Sequence, residues 1–206
     1  MTKVLVLMAV LLTTAVQARS SDGQHLLVFG DSLSAAYGID IEKGWASLLA
    51  QHWQQNGKPH RLTNASISGE TTDGGLARLP VTLQEIKPDI VAIELGANDG
   101  LRGHPLTRIQ ANLERMVDLV EAAGAQPIVI GISLPPSHGP RYVDGFRSLF
   151  AKVAEAKQVP FIDFYRAEFF DQPGYIQEDG MHPTEAPQPL IRDAVLGFLE
   201  QQNLLQ

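Results

Sequence analysis

Three short apolar runs set the narrowest limits on what this chain can become: Leu26-Leu27-Val28-Phe29, Ile90-Val91-Ala92-Ile93-Glu94-Leu95 and Ile128-Val129-Ile130-Gly131-Ile132. Runs this apolar, without a polar residue at alternate positions, read as strands buried on both faces. Arg61 to Asn64 and Pro160 to Ile162 are shorter strand candidates. Helical patterns lie between them. Leu106, Ile109, Leu113, Met116, Val117 and Val120 share one face of a helix that Gly124 stops. Tyr142, Phe146, Leu149 and Val153 repeat that spacing, as do Trp45, Leu48, Leu49 and Trp53, so both tryptophans are expected in the core. A parallel crossover must travel the length of the sheet before the next strand begins, so strands alternating with helices imply a mostly parallel sheet covered on both sides. The expected architecture is α/β, a three-layer sandwich of a five-stranded sheet with helices on both faces.

With 206 residues and 44% hydrophobic content the chain buries one good core, and a single domain over residues 19–206 is expected. Met1 to Ala18 carries one cation, Lys3, then an apolar run from Val4 to Leu12 and small residues ending in Ala18. This is the pattern of a secretory signal peptide, and it places the mature protein in the periplasm or the medium. The run falls well short of the ~20 apolar residues of a membrane span. The absence of cysteine excludes disulfides and a cysteine-linked lipid anchor. Loss of Lys3 moves the formal charge from -7 to -8, with 15 basic against 23 acidic side chains. Such a surface argues against nucleic acid or anionic lipid as partner. A monomer without a stable membrane anchor, acting on a small molecule, is expected.

In an open α/β sheet, substrates bind beyond the carboxyl ends of the strands, so the motifs that follow strands carry the chemistry. Gly30-Asp31-Ser32-Leu33 follows the first strand, Ser66-Ile67-Ser68-Gly69-Glu70 the second, and Gly96-Ala97-Asn98-Asp99-Gly100 the third. Serine needs a base to take its proton, and histidine suits that role near neutral pH. His25, His52 and His60 fall on a strand entry, a helix and a turn; His104 and His138 sit in loops and stay in reserve. His182 stands out because Asp179 precedes it by three residues in a turn-prone segment, so one loop can supply both base and orienting carboxylate. The side chain of Asn98 and the backbone amides of Ser32 and Gly69 are candidate donors to an oxyanion. Taken singly, these segments leave other readings open: a helix cap at Ser32, and solvated turns at Gly69, Asn98, Asp179 and His182.

Together and in this order, Gly30-Asp31-Ser32-Leu33, Gly69, Gly96-Ala97-Asn98-Asp99 and Asp179-Gly180-Met181-His182-Pro183 resemble the four blocks of the SGNH (GDSL) hydrolases. Asn64-Ala65-Ser66-Ile67-Ser68-Gly69-Glu70-Thr71, Gly75-Leu76-Ala77-Arg78-Leu79-Pro80 and Asn98-Asp99-Gly100-Leu101-Arg102-Gly103 narrow the likeness to the bacterial periplasmic thioesterases, lysophospholipases and arylesterases of that family. The resemblance implies a flavodoxin-like sheet, a shallow acyl groove, no metal and no cofactor. It also implies that Ser32, Asp179 and His182 form a triad and that Ser32, Gly69 and Asn98 form the oxyanion hole. Ala97 stands where close relatives often carry glycine.

Leu101, Leu134, Pro135, Pro136 and Met181 are loop residues near these motifs, and Leu101, Leu134 and Pro135 are the expected wall of the acyl groove. The loop Gly100-Leu101-Arg102-Gly103-His104-Pro105 reads either as a small lid hinged at its two glycines or as a rigid turn capping the next helix. Two rival functions use the same residues. A metal-dependent phosphodiesterase would draw on Asp31, Asn98, Asp99, Asp179 and His182 as ligands, and a non-catalytic binder of acyl ligands would keep the cleft without needing Ser32.

Overall fold

The computed structural model describes residues 23–164 and 172–205. Five strands, β1 (His25–Gly30), β2 (Arg61–Asn64), β3 (Ile90–Glu94), β4 (Gln126–Gly131) and β5 (Phe161–Asp163), form one parallel sheet in the order β2-β1-β3-β4-β5. Each expected strand is present, with its ends displaced by no more than two residues. Among the described residues the α-helices are α1 (Trp45–Gln55), α2 (Thr72–Ile86), α3 (Ala97–Leu101), α4 (Leu106–Ala122), α5 (Pro140–Lys157) and α6 (Gln188–Gln201).

The pleat explains why the strand sequences do not alternate. Leu27, Phe29, Val91, Ile93 and Val129 point to one face, where Leu79 and Leu83 of α2, Leu113 and Met116 of α4, and Phe146 and Phe150 of α5 cover them. Leu26, Val28, Ile90, Ala92, Ile128 and Ile130 point to the other, beneath Trp45, Leu49 and Trp53 of α1 and Ile191, Val195 and Leu199 of α6. Both faces of β1, β3 and β4 are buried, so apolar residues fill successive positions along them. Trp45 and Trp53 lie in the core as expected, and the Trp45 ring packs 5.9 Å from that of Phe164, just beyond β5.

Two long helices, α2 and α6, were not anticipated from the sequence. In α2, Gly74, Gly75 and Pro80 are poor helix formers, while Leu79 and Leu83 are buried and Leu76 and Ile86 partly so. Packing and an N-terminal cap hold it: the Thr71 hydroxyl accepts from the Gly74 amide at 3.3 Å. Among the described residues, no helix is long and apolar enough to cross a membrane. Residues 1–18, read above as a signal peptide, lie outside the described residues.

Candidate active site

The strand order reverses beside β1, so the loops leaving β1 and β3 part there and open a crevice at the carboxyl edge of the sheet. Immediately after β1, Asp31 caps a helical turn. Its carbonyl accepts from the amides of Ser34 at 3.3 Å and Ala35 at 2.9 Å, and its Oδ1 accepts from the Leu33 amide at 3.1 Å. Ser32 therefore stands in the first turn, where backbone N–H groups point outward and attract negative charge.

His182 reaches this serine from a loop 150 residues further on, with Nε2 2.8 Å from Ser32 Oγ. Its Nδ1 lies 2.6 Å from Asp179 Oδ2. An ionised carboxylate only accepts, so Nδ1 carries the proton and Nε2 is free to accept from the serine hydroxyl. The other oxygen of Asp179 accepts from the amides of Met181 at 2.9 Å and His182 at 3.0 Å, so one side chain shapes the turn and orients the ring. Burial pushes the Asp179 carboxyl up, but the hydrogen bonds from the His182 amide and ring and the Met181 amide outweigh it and hold the group below the ordinary carboxylate range.

Gln177 joins this loop to the serine's turn. Its side-chain amide donates to the carbonyls of Tyr37 at 2.8 Å and Pro183 at 3.0 Å, while its backbone amide donates to the His182 carbonyl at 2.8 Å. Tyr37, thus placed, packs its ring 4.5 Å from the imidazole. Neither residue was found from the sequence. No spacing or composition signal marks a glutamine whose partners are two backbone carbonyls.

Ser32, Gly69 and Asn98 line one cleft of about 400 Å³. Gly69 has φ of +81°, which glycine adopts without steric cost. One N–H of the Asn98 amide is held by Asp31 Oδ2 at 3.2 Å, which leaves the second for a ligand. Leu101, Leu134 and Pro135 line the cleft as expected, together with Pro136 and Met181. Ile132 and Phe164 complete its apolar wall and were not anticipated. Ala97 also faces the cleft, as the first residue of α3.

The loop after Asn98 is a hydrogen-bonded turn. Its amides at Arg102, Gly103 and His104 donate to the carbonyls of Asn98, Gly100 and Asp99, and Tyr142 donates its hydroxyl to the His104 carbonyl at 2.6 Å. Gly100 belongs to α3 and is there for close packing, since a Cβ would sit 2.8 Å from Leu134 and Phe146. The geometry is that of the rigid turn, and hinging at Gly100 would break this packing.

None of the other histidines reaches Ser32. His104 Nδ1 faces Asp99 at 3.4 Å and His138 Nδ1 faces the Pro135 carbonyl at 3.3 Å. His25 pairs with Thr63, His52 with Asn56, and His60 with the Gln24 amide. The five residues of a metal-dependent reading do not converge. Both ring nitrogens of His182 are engaged, and the two oxygens of Asp99 turn away to the Thr72 amide and hydroxyl at 2.8 and 2.7 Å.

Beneath the serine's turn lies a buried pair of carboxyl groups, Asp31 and Glu94, both with no exposed surface. Glu94 Oε2 accepts from the Ser34 hydroxyl at 2.9 Å and the Asp31 amide at 3.3 Å. Gly30 makes room for it: a Cβ there would stand 2.6 Å from that oxygen. Burial raises the Asp31 carboxyl to about 7, and burial followed by the charge of Asp31 raises Glu94 well above the ordinary range. The sign follows. A carboxyl whose folded pKa is raised binds its proton more tightly in the native state, so its contribution is complete below the unfolded value and is lost as pH climbs through the folded one. Equilibrium urea unfolding is expected to show stability falling between about pH 4 and pH 7 by up to ~4 kcal/mol from this source, and Asp31→Asn is expected to flatten that slope. An unchanged slope in the variant would place the titration elsewhere.

A hydroxyl, an imidazole and a carboxylate in one hydrogen-bonded line at an apolar cleft, on this parallel sheet, define the class: a serine hydrolase acting on carboxylic acyl compounds. Residues 28–187 match the GDSL-like Lipase/Acylhydrolase family, and the chain belongs to it. It is similar to the arylesterase of Vibrio mimicus, at 43% identity over 92% of this chain and 94% of that protein. It is 40% identical to the thioesterase 1/protease 1/lysophospholipase L1 of Escherichia coli K12, over 85% of this chain and 83% of that protein. Among solved structures, the psychrotrophic esterase EstA of a Pseudoalteromonas species, inhibited by monoethylphosphonate, superposes with a TM-score of 0.83 at 40% identity, covering 87% of this chain and 98% of that one. The chain is an ester hydrolase of this family.

Proposed function

We propose that Ser32 is the nucleophile of a two-step acyl transfer, with His182 as general base and acid and Asp179 as the carboxylate that orients it. The unbroken hydrogen-bond line from Asp179 through His182 to Ser32 carries this reading. Ser32 Oγ attacks the acyl carbonyl while its proton passes to His182 Nε2. The amides of Ser32 and Gly69 and the side chain of Asn98 hold the oxyanion. His182 then returns the proton to the departing alcohol or thiol, leaving an acyl ester on Ser32, and water activated by the same imidazole releases the acid.

The acyl tail lies against Leu101, Leu134 and Pro135, where each buried methylene contributes up to ~0.8 kcal/mol. Esters, thioesters and lysophospholipids are the proposed substrates, supported by the activities for which the curated relatives are named. The signal-peptide pattern of Met1 to Ala18 supports a periplasmic or secreted protein whose mature domain covers residues 19–206, acting as a monomer without a membrane anchor. Reaction with a fluorophosphonate probe followed by peptide mapping tests this reading. The label is expected on Ser32, and a label on any other serine refutes the assignment.

A further inference from the structure

We infer that Arg102 and Ser68 form an anion-binding rim for the leaving group, so that acyl substrates departing with a phosphate-bearing alcohol or thiol are favoured over neutral ones. This rests on Ser32 being the nucleophile. The sheet order gives the cleft two ends. Ser68 and Gly69 follow β2 at one edge, Ser32 and Asn98 follow the central strands β1 and β3, and Ile132, Leu134, Pro135 and Phe164 follow β4 and β5 toward the other edge. The apolar end takes the tail. A carbonyl seated over Ser32 then directs its leaving group toward Ser68 and Gly69.

Arg102 stands at that end. It directly follows Leu101 at the close of α3, and its Nη2 lies 3.4 Å from the Gly69 carbonyl, a long bond that uses one of its five N–H donors. The residue is exposed and makes no ion pair among the described residues. Carboxylates of the adjoining segments are already committed: Glu70 to Arg78, Asp73 to Arg108, and Asp99 to Thr72. An unneutralised guanidinium therefore sits beside a proposed oxyanion donor in a chain of net charge -7, which otherwise repels anions. Its planar fork matches two phosphate oxygens at once, and Ser68, which lines the cleft next to the Gly69 that Arg102 touches, brings a hydroxyl as a further donor.

The anion has two sources, the phosphates of coenzyme A and the phosphodiester of a lysophospholipid. The test is steady-state kinetics of the mature chain on octanoyl-coenzyme A, a monomeric short-chain lysophospholipid and p-nitrophenyl octanoate. Arg102→Gln is expected to raise KM roughly fivefold for octanoyl-coenzyme A with kcat unchanged, the factor that ~1 kcal/mol at an exposed charge pair gives, and to leave the neutral ester unaffected. Arg102→Lys restores most of the affinity, and added salt erodes the wild-type preference but not that of the glutamine variant. A rise in KM for the lysophospholipid as well assigns the rim to phosphate in general, and a rise confined to octanoyl-coenzyme A assigns it to the nucleotide carrier. An equal rise for the neutral ester, or none for either anionic substrate, overturns the proposal, the former by reducing Arg102 to a clamp on Gly69. If the wild-type chain hydrolyses none of the three and takes no phosphonate label on Ser32, the reading of the nucleophile has failed instead.

Discussion

Ser32→Ala is expected to lower kcat by roughly 10⁴- to 10⁶-fold on every acyl substrate while KM changes little. Its Oγ is the atom that the His182 imidazole addresses at 2.8 Å, and no other hydroxyl takes up that bond. The apolar wall and the proposed oxyanion donors at Gly69 and Asn98 are untouched by the change, so substrate is expected still to bind and a small residual rate to survive. Stability is expected to stay within ~1 kcal/mol, because the imidazole nitrogen left without a partner is near enough to the cleft to be solvated. Single-turnover kinetics and phosphonate labelling check this together. Normal turnover in the variant, with the label on a different serine, would sink the central assignment.

The second large effect is expected at Asn98. Truncation to alanine is expected to lower kcat roughly 100- to 1000-fold, or ~3 to 4 kcal/mol, with KM nearly constant, because an amide aimed at a developing oxyanion acts mainly in the transition state. The structure adds a complication that the sequence did not suggest. The same amide satisfies Asp31 Oδ2, which has no access to solvent, so Asn98→Ala also strands a buried acceptor. A stability loss of ~1 to 3 kcal/mol is therefore expected alongside the kinetic one. Comparing kcat well below the unfolding temperature separates the two effects. A variant that lost only affinity would reassign Asn98 to ground-state binding.

What could be read from the sequence tracks how local the physics is. The central strands β1, β3 and β4 declare themselves because burial on both faces fills them with apolar residues, and α4 and α5 because each buries a single stripe. The helix α2 is less plain because Gly74, Gly75 and Pro80, all poor helix formers, interrupt the stripe of Leu76, Leu79, Leu83 and Ile86. Within the site, Asp179 and His182 share one turn, so their spacing is visible. The wall residues Ile132 and Phe164 belong to runs that look like ordinary core, and only the position of their strand ends turns them toward the cleft. Glu94 is a similar case. A lone acid at the end of an apolar strand gives no hint that it will lie against a glycine of the neighbouring strand and hold the serine's turn from below. Gln177 acts through backbone carbonyls on both sides of the site, a role that no residue pattern encodes.

The span of 150 residues between Ser32 and His182 has a consequence for how activity arises during synthesis. The proposed nucleophile leaves the ribosome with the first strand, yet the imidazole and its carboxylate come only after all five strands. On the proposed mechanism, a chain interrupted between Ser32 and Asp179 possesses an attacking group but neither the imidazole nor the carboxylate that would remove its proton. Hydrolysis is then withheld from every chain that stops short of His182, and its onset is expected to mark the docking of that loop. In a refolding experiment the recovery of turnover reports completion of the whole sheet, where a spectroscopic probe of Trp45 or Trp53 reports only the packing of one face.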